Sequence, residues 1–231
     1  MIERTTKTGL KRLMRAGLDV GMRRKVHREM RGSFCSGIVM GLRAGLGAGD
    51  ICVDLGANVG EITEPLATTG ATVHAFEPDP DTFQTLKGAC GGFDNVVLHQ
   101  KAVAAEAGSM SLFRSTVLER DARKGSTGST LIASNAVADA ENTVTVDVID
   151  GLAFLENLLD AHGRIAFLKM DIEGAELDLM ERLLDTDMLT RIGLTVVETH
   201  RWLMEGQSKR YEAIERIADE RPELNLFAYW T

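Results

Sequence analysis

Short apolar runs, most of them closed by a polar residue, recur from residue 51 onward. The runs at 51–55, 71–76, 95–98, 165–170, 192–197 and 224–229 predict core strands, because a strand buried on both faces reads as a nearly continuous apolar stretch. Between them, apolar residues at helical spacing predict helices over 59–68, 81–88, 152–159, the stretch through Leu177, Met180, Leu183 and Leu184, and 211–218. Asp81 is the expected N-cap of the second of these. Strand and helix in alternation predict an α/β fold, a doubly wound parallel sheet with helices on its faces. The pattern changes after Gly108. Residues 109–114 and 143–148 read as short strands, and the polar stretch 115–142 between them reads as a lid or binding loop, the alternative being a plain surface loop. Glycine-rich residues 32–49 read as a helix or broken helix leading into the first strand. No internal repeat is visible.

Composition bounds this picture. A chain of 231 residues with 44% hydrophobic content supports one sizeable core, so one domain is expected over 50–231, preceded by an arm over 1–49. The net charge of -8 conceals an asymmetry: residues 1–31 hold ten Lys or Arg against Glu3, Asp19 and Glu29, which is +7 and leaves -15 for the rest. The arm therefore reads as a basic amphipathic helix, with Leu10, Leu13, Met14 and Leu18 on one face packing on the body or on a second copy in a homodimer. A sharper reading is peripheral contact with an anionic surface or a phosphorylated carrier. Nucleic acid is disfavoured, since no aromatic residues are interleaved with the basic ones to stack on bases. Three cysteines, Cys35, Cys52 and Cys90, are an odd number, and Cys52 sits inside an apolar run, so a reduced, cytoplasmic setting is expected. No apolar run approaches the length of a membrane span, and no secretory signal is visible.

Chemistry gathers where the predicted strands end. In an open parallel sheet the carboxyl ends of the strands face the ligand. Asp54 with the Gly56-to-Gly60 turn, Glu77, Gln100 with Lys101, Asp171 with Glu173, and Glu198 with His200 all fall on that edge. A glycine turn opening a helix presents unpaired N–H groups to an anionic ligand. This turn lacks the middle glycine of the dinucleotide fingerprint, which disfavours a nicotinamide-dependent oxidoreductase. Glu77 follows Asp54 by 23 residues on the neighbouring strand, where an acid accepts hydrogen bonds from ribose hydroxyls. Adenosine together with a carboxylate describes S-adenosylmethionine, and acids near the turn suit its cationic sulfonium.

Several segments, in order, resemble the FkbM-type S-adenosylmethionine-dependent methyltransferases. They are Val53 to Glu61, Ala75 to Pro78, Ala102-Val103, the Val-Ile-Asp ending at Asp150, Leu168 to Glu176, and Val197 to His200. The resemblance implies a class I methyltransferase (Rossmann-like) fold, with a seven-stranded, mostly parallel sheet whose last strand is antiparallel. It also implies methyl transfer to a hydroxyl of a sugar, glycan or other small molecule. Carried over by position, Asp54, Gly56, Asn58 and Gly60 would line the methionine part of the cofactor, Glu77 its ribose, and Lys101 and Ala102 its adenine. Asp171 would face the methyl-transfer centre. His200 or Asp171 is expected to take the acceptor's proton, His200 needing the smaller pKa adjustment. Asp171, Glu173, Glu198 and His200 form a secondary reading as ligands of a divalent metal. Lys169 reads as a salt-bridge partner, while His74 and His99 read as structural. A methyltransferase-like binding protein without turnover is the non-enzymatic alternative.

Overall fold

The computed structural model describes residues 37–115, 138–200 and 206–228. Its centre is strand β1, Ile51–Leu55, with all five residues buried. β1 pairs in parallel with β2, Thr72–Phe76, on one side and with β7, Phe167–Met170, on the other. Outward from these lie β3, Val96–His99, then β8, Thr195–Val197, and β9, Leu226–Phe227. The sheet order is β3-β2-β1-β7-β8-β9 and every pairing is parallel. The helices are α1, Thr63–Ala67, α2, Pro80–Cys90, α3, Gly151–His162, α4, Glu176–Leu184, and α5, Ser208–Glu220.

Side chains of β1 alternate between two cores, as the pleat requires. Ile51, Val53 and Leu55 join the larger core with Leu155 and Leu159 of α3, Leu177, Met180 and Leu183 of α4, and Tyr211 and Ile214 of α5. Cys52 faces the other way, against Leu66, Val73, Phe167, Val196 and Val39. Val39 belongs to residues 37–45, which are helical. Helices thus cover both faces, which is why the core strands read as continuous apolar runs. Cys52 and Cys90 are buried free thiols.

Three expectations require correction. The sheet has six strands among the described residues rather than seven, and none is antiparallel. α5 carries the chain back across the sheet between β8 and β9, and a strand reached by such a crossover enters in the parallel direction. The second helix is capped by Asp79 rather than Asp81: Asp79 accepts hydrogen bonds from the N–H groups of Asp81 and Thr82. Pro80 at the first helical position, with no N–H to satisfy, starts the helix one residue earlier than the acid pattern suggests. The first helix is shorter than 59–68, because Asn58 and Gly60 adopt positive φ and hold the chain in a turn.

The segment after β3 builds a second sheet. β4, Ala102–Ala104, and β5, Gly108–Ser115, both pair with the long β6, Ala138–Asp150, in the order β4-β6-β5. The strands expected at 109–114 and 143–148 are therefore one antiparallel pair. Residues 116–137 of the polar stretch and residues 1–36 of the arm lie outside the described residues. Among the described residues, no helix is long and apolar enough to cross a membrane.

Candidate active site

The turn after β1 is built against the end of β7. Gly56 has φ +78, and a Cβ there would lie 1.8 Å from the Asp171 carbonyl oxygen, so only glycine fits. The N–H groups of Gly56 and Ala57 both donate to the Phe76 carbonyl at the end of β2, at 3.0 and 2.7 Å. Asn58 follows at φ 50 and donates its N–H to Glu77 Oε2 at 3.0 Å. Gly60 faces α2, where a Cβ would meet Cys90 Sγ at 2.9 Å and Leu86 at 3.1 Å. The two glycines thus serve close packing on opposite sides of one turn. Asp54 lies beneath it, fully buried, with Oδ2 accepting from the Thr63 hydroxyl at 2.7 Å.

Glu77 closes β2 as a carboxyl only 5% exposed. Burial pushes its pKa up to about 7, although the N–H groups of Asp79 and Asn58 oppose the shift by donating to its oxygens. Beside it run a stacked pair, Phe76 over His99, and the contact of His74 Nδ1 with His99 Nε2 at 3.2 Å. Burial lowers the pKa of both histidines. They are part of the packing under the strand ends.

Lys169 ties the turn to β7. Its buried Nζ donates to the Gly56 carbonyl at 2.6 Å and lies 3.2 Å from Asp171 Oδ2 and 3.4 Å from Asp54 Oδ1. Burial disfavours its charge, but Asp171 and Asp54 outweigh burial and keep the ammonium protonated. The salt-bridge reading of Lys169 is what the geometry displays.

The ends of β7 and β8 meet at His200. Its Nε2 lies 3.4 Å from Glu173 Oε2, 3.7 Å from Asp171 Oδ1 and 3.8 Å from Glu198 Oε1. Its Nδ1 lies 3.2 Å from Oε1 of Glu176, which also accepts from the His200 N–H at 2.9 Å and the Tyr211 hydroxyl at 3.0 Å. Burial alone would lower the His200 pKa. The Glu176 hydrogen bond and the charges of Glu176, Glu173 and Asp171 reverse this and raise it to about 9. Glu198 is pushed above the ordinary carboxylate range by burial and by repulsion from Asp171.

The strand ends open into one cleft. Gly56, Asn58, Glu77, Lys101, Ala102, Asp171 and Glu173 all line it, joined by Leu112 from the second sheet. Asp54 and Gly60 sit behind the turn instead, and Glu198 and His200 reach the cleft through Asp171. Two site residues escape a reading of strand ends alone. Glu176 lies in the first turn of α4 yet is 1% exposed, and it occupies the same stripe as Met180 and Leu183. An acid in an apolar stripe is the signal that betrays it. Tyr211 on α5 shares the stripe of Ile214 and reads as core until its hydroxyl finds Glu176.

Residues 54–224 match the family model described as the methyltransferase FkbM domain. The chain belongs to the FkbM methyltransferase family. The match takes in every strand end described above, from the turn after β1 to His200. Within the curated proteins, the hexuronic acid methyltransferase AglP of Haloferax volcanii is 26% identical over 155 residues. The alignment covers 65% of this chain and 56% of that protein, so the chain matches little more than half the length of its relative. No solved structure matches.

Proposed function

We propose that this FkbM-family chain is an S-adenosylmethionine-dependent methyltransferase acting on a hydroxyl of a sugar or glycan. The observation that carries the reading is the cleft at the carboxyl ends of β1 and β2, where a glycine turn too tight for any side chain meets the buried carboxyl of Glu77. An unused acceptor supports the fit: Asn58 Oδ1 is buried, makes no hydrogen bond among the described residues, and belongs to a residue that lines the cleft. Buried acceptors without donors are costly unless a ligand supplies the donor, and an ammonium group does so. Gly56 and Asn58 would hold the methionine part of the cofactor with Asp54 and Gly60 behind them, Glu77 the ribose, and Lys101 and Ala102 the adenine. When bound, the cofactor supplies a methyl group on a positively charged sulfur.

The reaction is a displacement. The cofactor, held by Gly56, Asn58, Glu77, Lys101 and Ala102, would supply the methyl group and keep the sulfur's electron pair as leaving group, and the acceptor hydroxyl would have to give up its proton. Catalysis then consists of alignment and proton removal. Asp171 lines the cleft, and we assign proton removal to it; His200, 3.7 Å behind, has its pKa raised to about 9 and so serves to position Asp171 instead of acting as the base. The hexuronic acid named for the relative supports a sugar acceptor, and Leu112 brings the second sheet to the wall of the same cleft.

Calorimetry with S-adenosylmethionine and with NAD tests the cofactor. Binding of the first in the micromolar range and none of the second is expected, and the reverse would favour the oxidoreductase. Labelled methyl transfer to a panel of hexuronic acids and glycans tests turnover. Cofactor binding without any product on that panel would leave a binding protein as the better description. Asp171→Asn is expected to lower kcat at least about 100-fold with cofactor binding retained, in the range typical of losing a proton acceptor.

A further inference from the structure

We infer that Asp171, Glu198 and His200 form a binding site for one hard divalent cation of the Mn2+ or Mg2+ class, at the inner end of the cleft. Single ligand atoms of these three residues lie within 4.8 Å of one another. They come from two neighbouring strands: Asp171 follows β7 and Glu198 and His200 follow β8, so hydrogen bonding between the strands fixes their spacing. This is more than an acidic cluster, because its third member is an imidazole 2% exposed.

The imidazole is oriented from behind. Glu176, itself 1% exposed, engages Nδ1 at 3.2 Å and is held in turn by the Tyr211 hydroxyl and the Gly174 N–H. A carboxylate on one ring nitrogen, with the other nitrogen directed at further ligands, is how proteins orient a metal-bound histidine. The spacing also fits. Nε2 stands 3.7 Å from Asp171 Oδ1 and 3.8 Å from Glu198 Oε1. Bonds of about 2.0–2.3 Å to a shared cation put neighbouring ligands about 3–4 Å apart. Charge points the same way: among the described residues, Asp54, Asp171, Glu173, Glu176 and Glu198 gather around one ammonium, Lys169, and one imidazole. One nitrogen among carboxylate oxygens favours a hard ion over thiophilic metals.

Three protein ligands leave coordination positions open, as sites that act on a substrate do. With a cation bound, Asp171 would serve the reaction as its ligand instead of as the base: an acceptor hydroxyl in an open position would lose its proton to water at lower pH than a free hydroxyl. That role rests on the methyl-transfer reading; cation binding itself does not.

Mn2+ titrated into the metal-stripped full chain, followed by electron paramagnetic resonance, tests the site. One ion per chain is expected, with pulsed spectra showing coupling to one imidazole nitrogen. His200→Ala is expected to abolish that coupling, and Glu198→Gln, nearly the same shape, to weaken binding at least about 10-fold. Absence of a stoichiometric ion, or nitrogen coupling that survives His200→Ala, overturns the proposal. Calorimetry with S-adenosylmethionine in chelator separates the two readings: cofactor binding without Mn2+ binding sinks the cation site and leaves the methyltransferase standing. Mn2+ binding without cofactor binding does the opposite.

Discussion

Gly56 has no room for a side chain: its missing Cβ would sit 1.8 Å from a backbone oxygen of the neighbouring strand end. Backbone cannot swing aside as a flexible side chain can. Gly56→Ala is therefore expected to cost about 3 kcal/mol or more in urea unfolding, and to abolish cofactor binding in whatever fraction folds. Glu77 carries a different liability. Its folded pKa, raised to about 7, lies above the unfolded value near 4.5, so its contribution to stability is present below pH 4.5 and lost as pH rises through 7. The shift corresponds to roughly 3 kcal/mol. A plot of stability against pH should show this slope in the natural chain, and Glu77→Gln should remove it while weakening cofactor binding. Both residues were legible in the sequence, since a glycine after a strand and an acid at the next strand end each have a distinct physical reason. Glu176 was not, because its importance comes from a partner 24 residues away, His200, and another on α5.

At the scale of elements, α4 and α5 are joined by two kinds of contact with different worth. Arg210 pairs with Asp178 and Glu181 at the partly exposed surface, where ion pairs contribute little. Arg210→Ala should cost under about 1 kcal/mol. One residue on, the Tyr211 hydroxyl reaches buried Glu176. Tyr211→Phe should cost about 1–2 kcal/mol in thermal unfolding, because an acceptor loses its donor out of reach of water. If Tyr211 positions His200 through Glu176, the same variant should also lower kcat with KM unchanged, whereas a purely packing role would leave both constants alone. Strand positions were readable from apolar runs, but strand partners were not. The pairing of 102–104 with 148–150 and the removal of this region into a second sheet depend on contacts remote in sequence. The Asp79 cap was missed for a local reason, Pro80, whose missing N–H makes it a natural first helical residue.

Across the whole molecule, Lys169 is the link between the glycine turn and the His200 cluster. It joins Gly56, Asp54 and Asp171 from inside the sheet. Lys169→Met should destabilise the chain by about 3–5 kcal/mol, since it strands two carboxylates that the ammonium now neutralises. Urea unfolding beside the natural chain offers a check: a loss under about 1 kcal/mol, the range of an exposed ion pair, would show that the ammonium is not what holds the two carboxylates.

The sequence alone determined the class of fold and the edge at which the polar groups gather, because apolar period, glycine turns and strand-end acids are consequences of local geometry and short-range sterics. It also marked Asp54, Glu77, Asp171 and His200 as members of that edge. Tertiary structure decided what those members touch. Glu77 is buried between two N–H donors, His200 is ringed by carboxylates, and Glu176 and Tyr211 stand behind it. Such properties arise from distances between residues far apart in the chain and from exclusion of water, and neither quantity exists until the strands β1, β7 and β8 lie side by side. The glycine turn and Glu77 could be read in order along the chain; the arrangement around His200 could be read only across it.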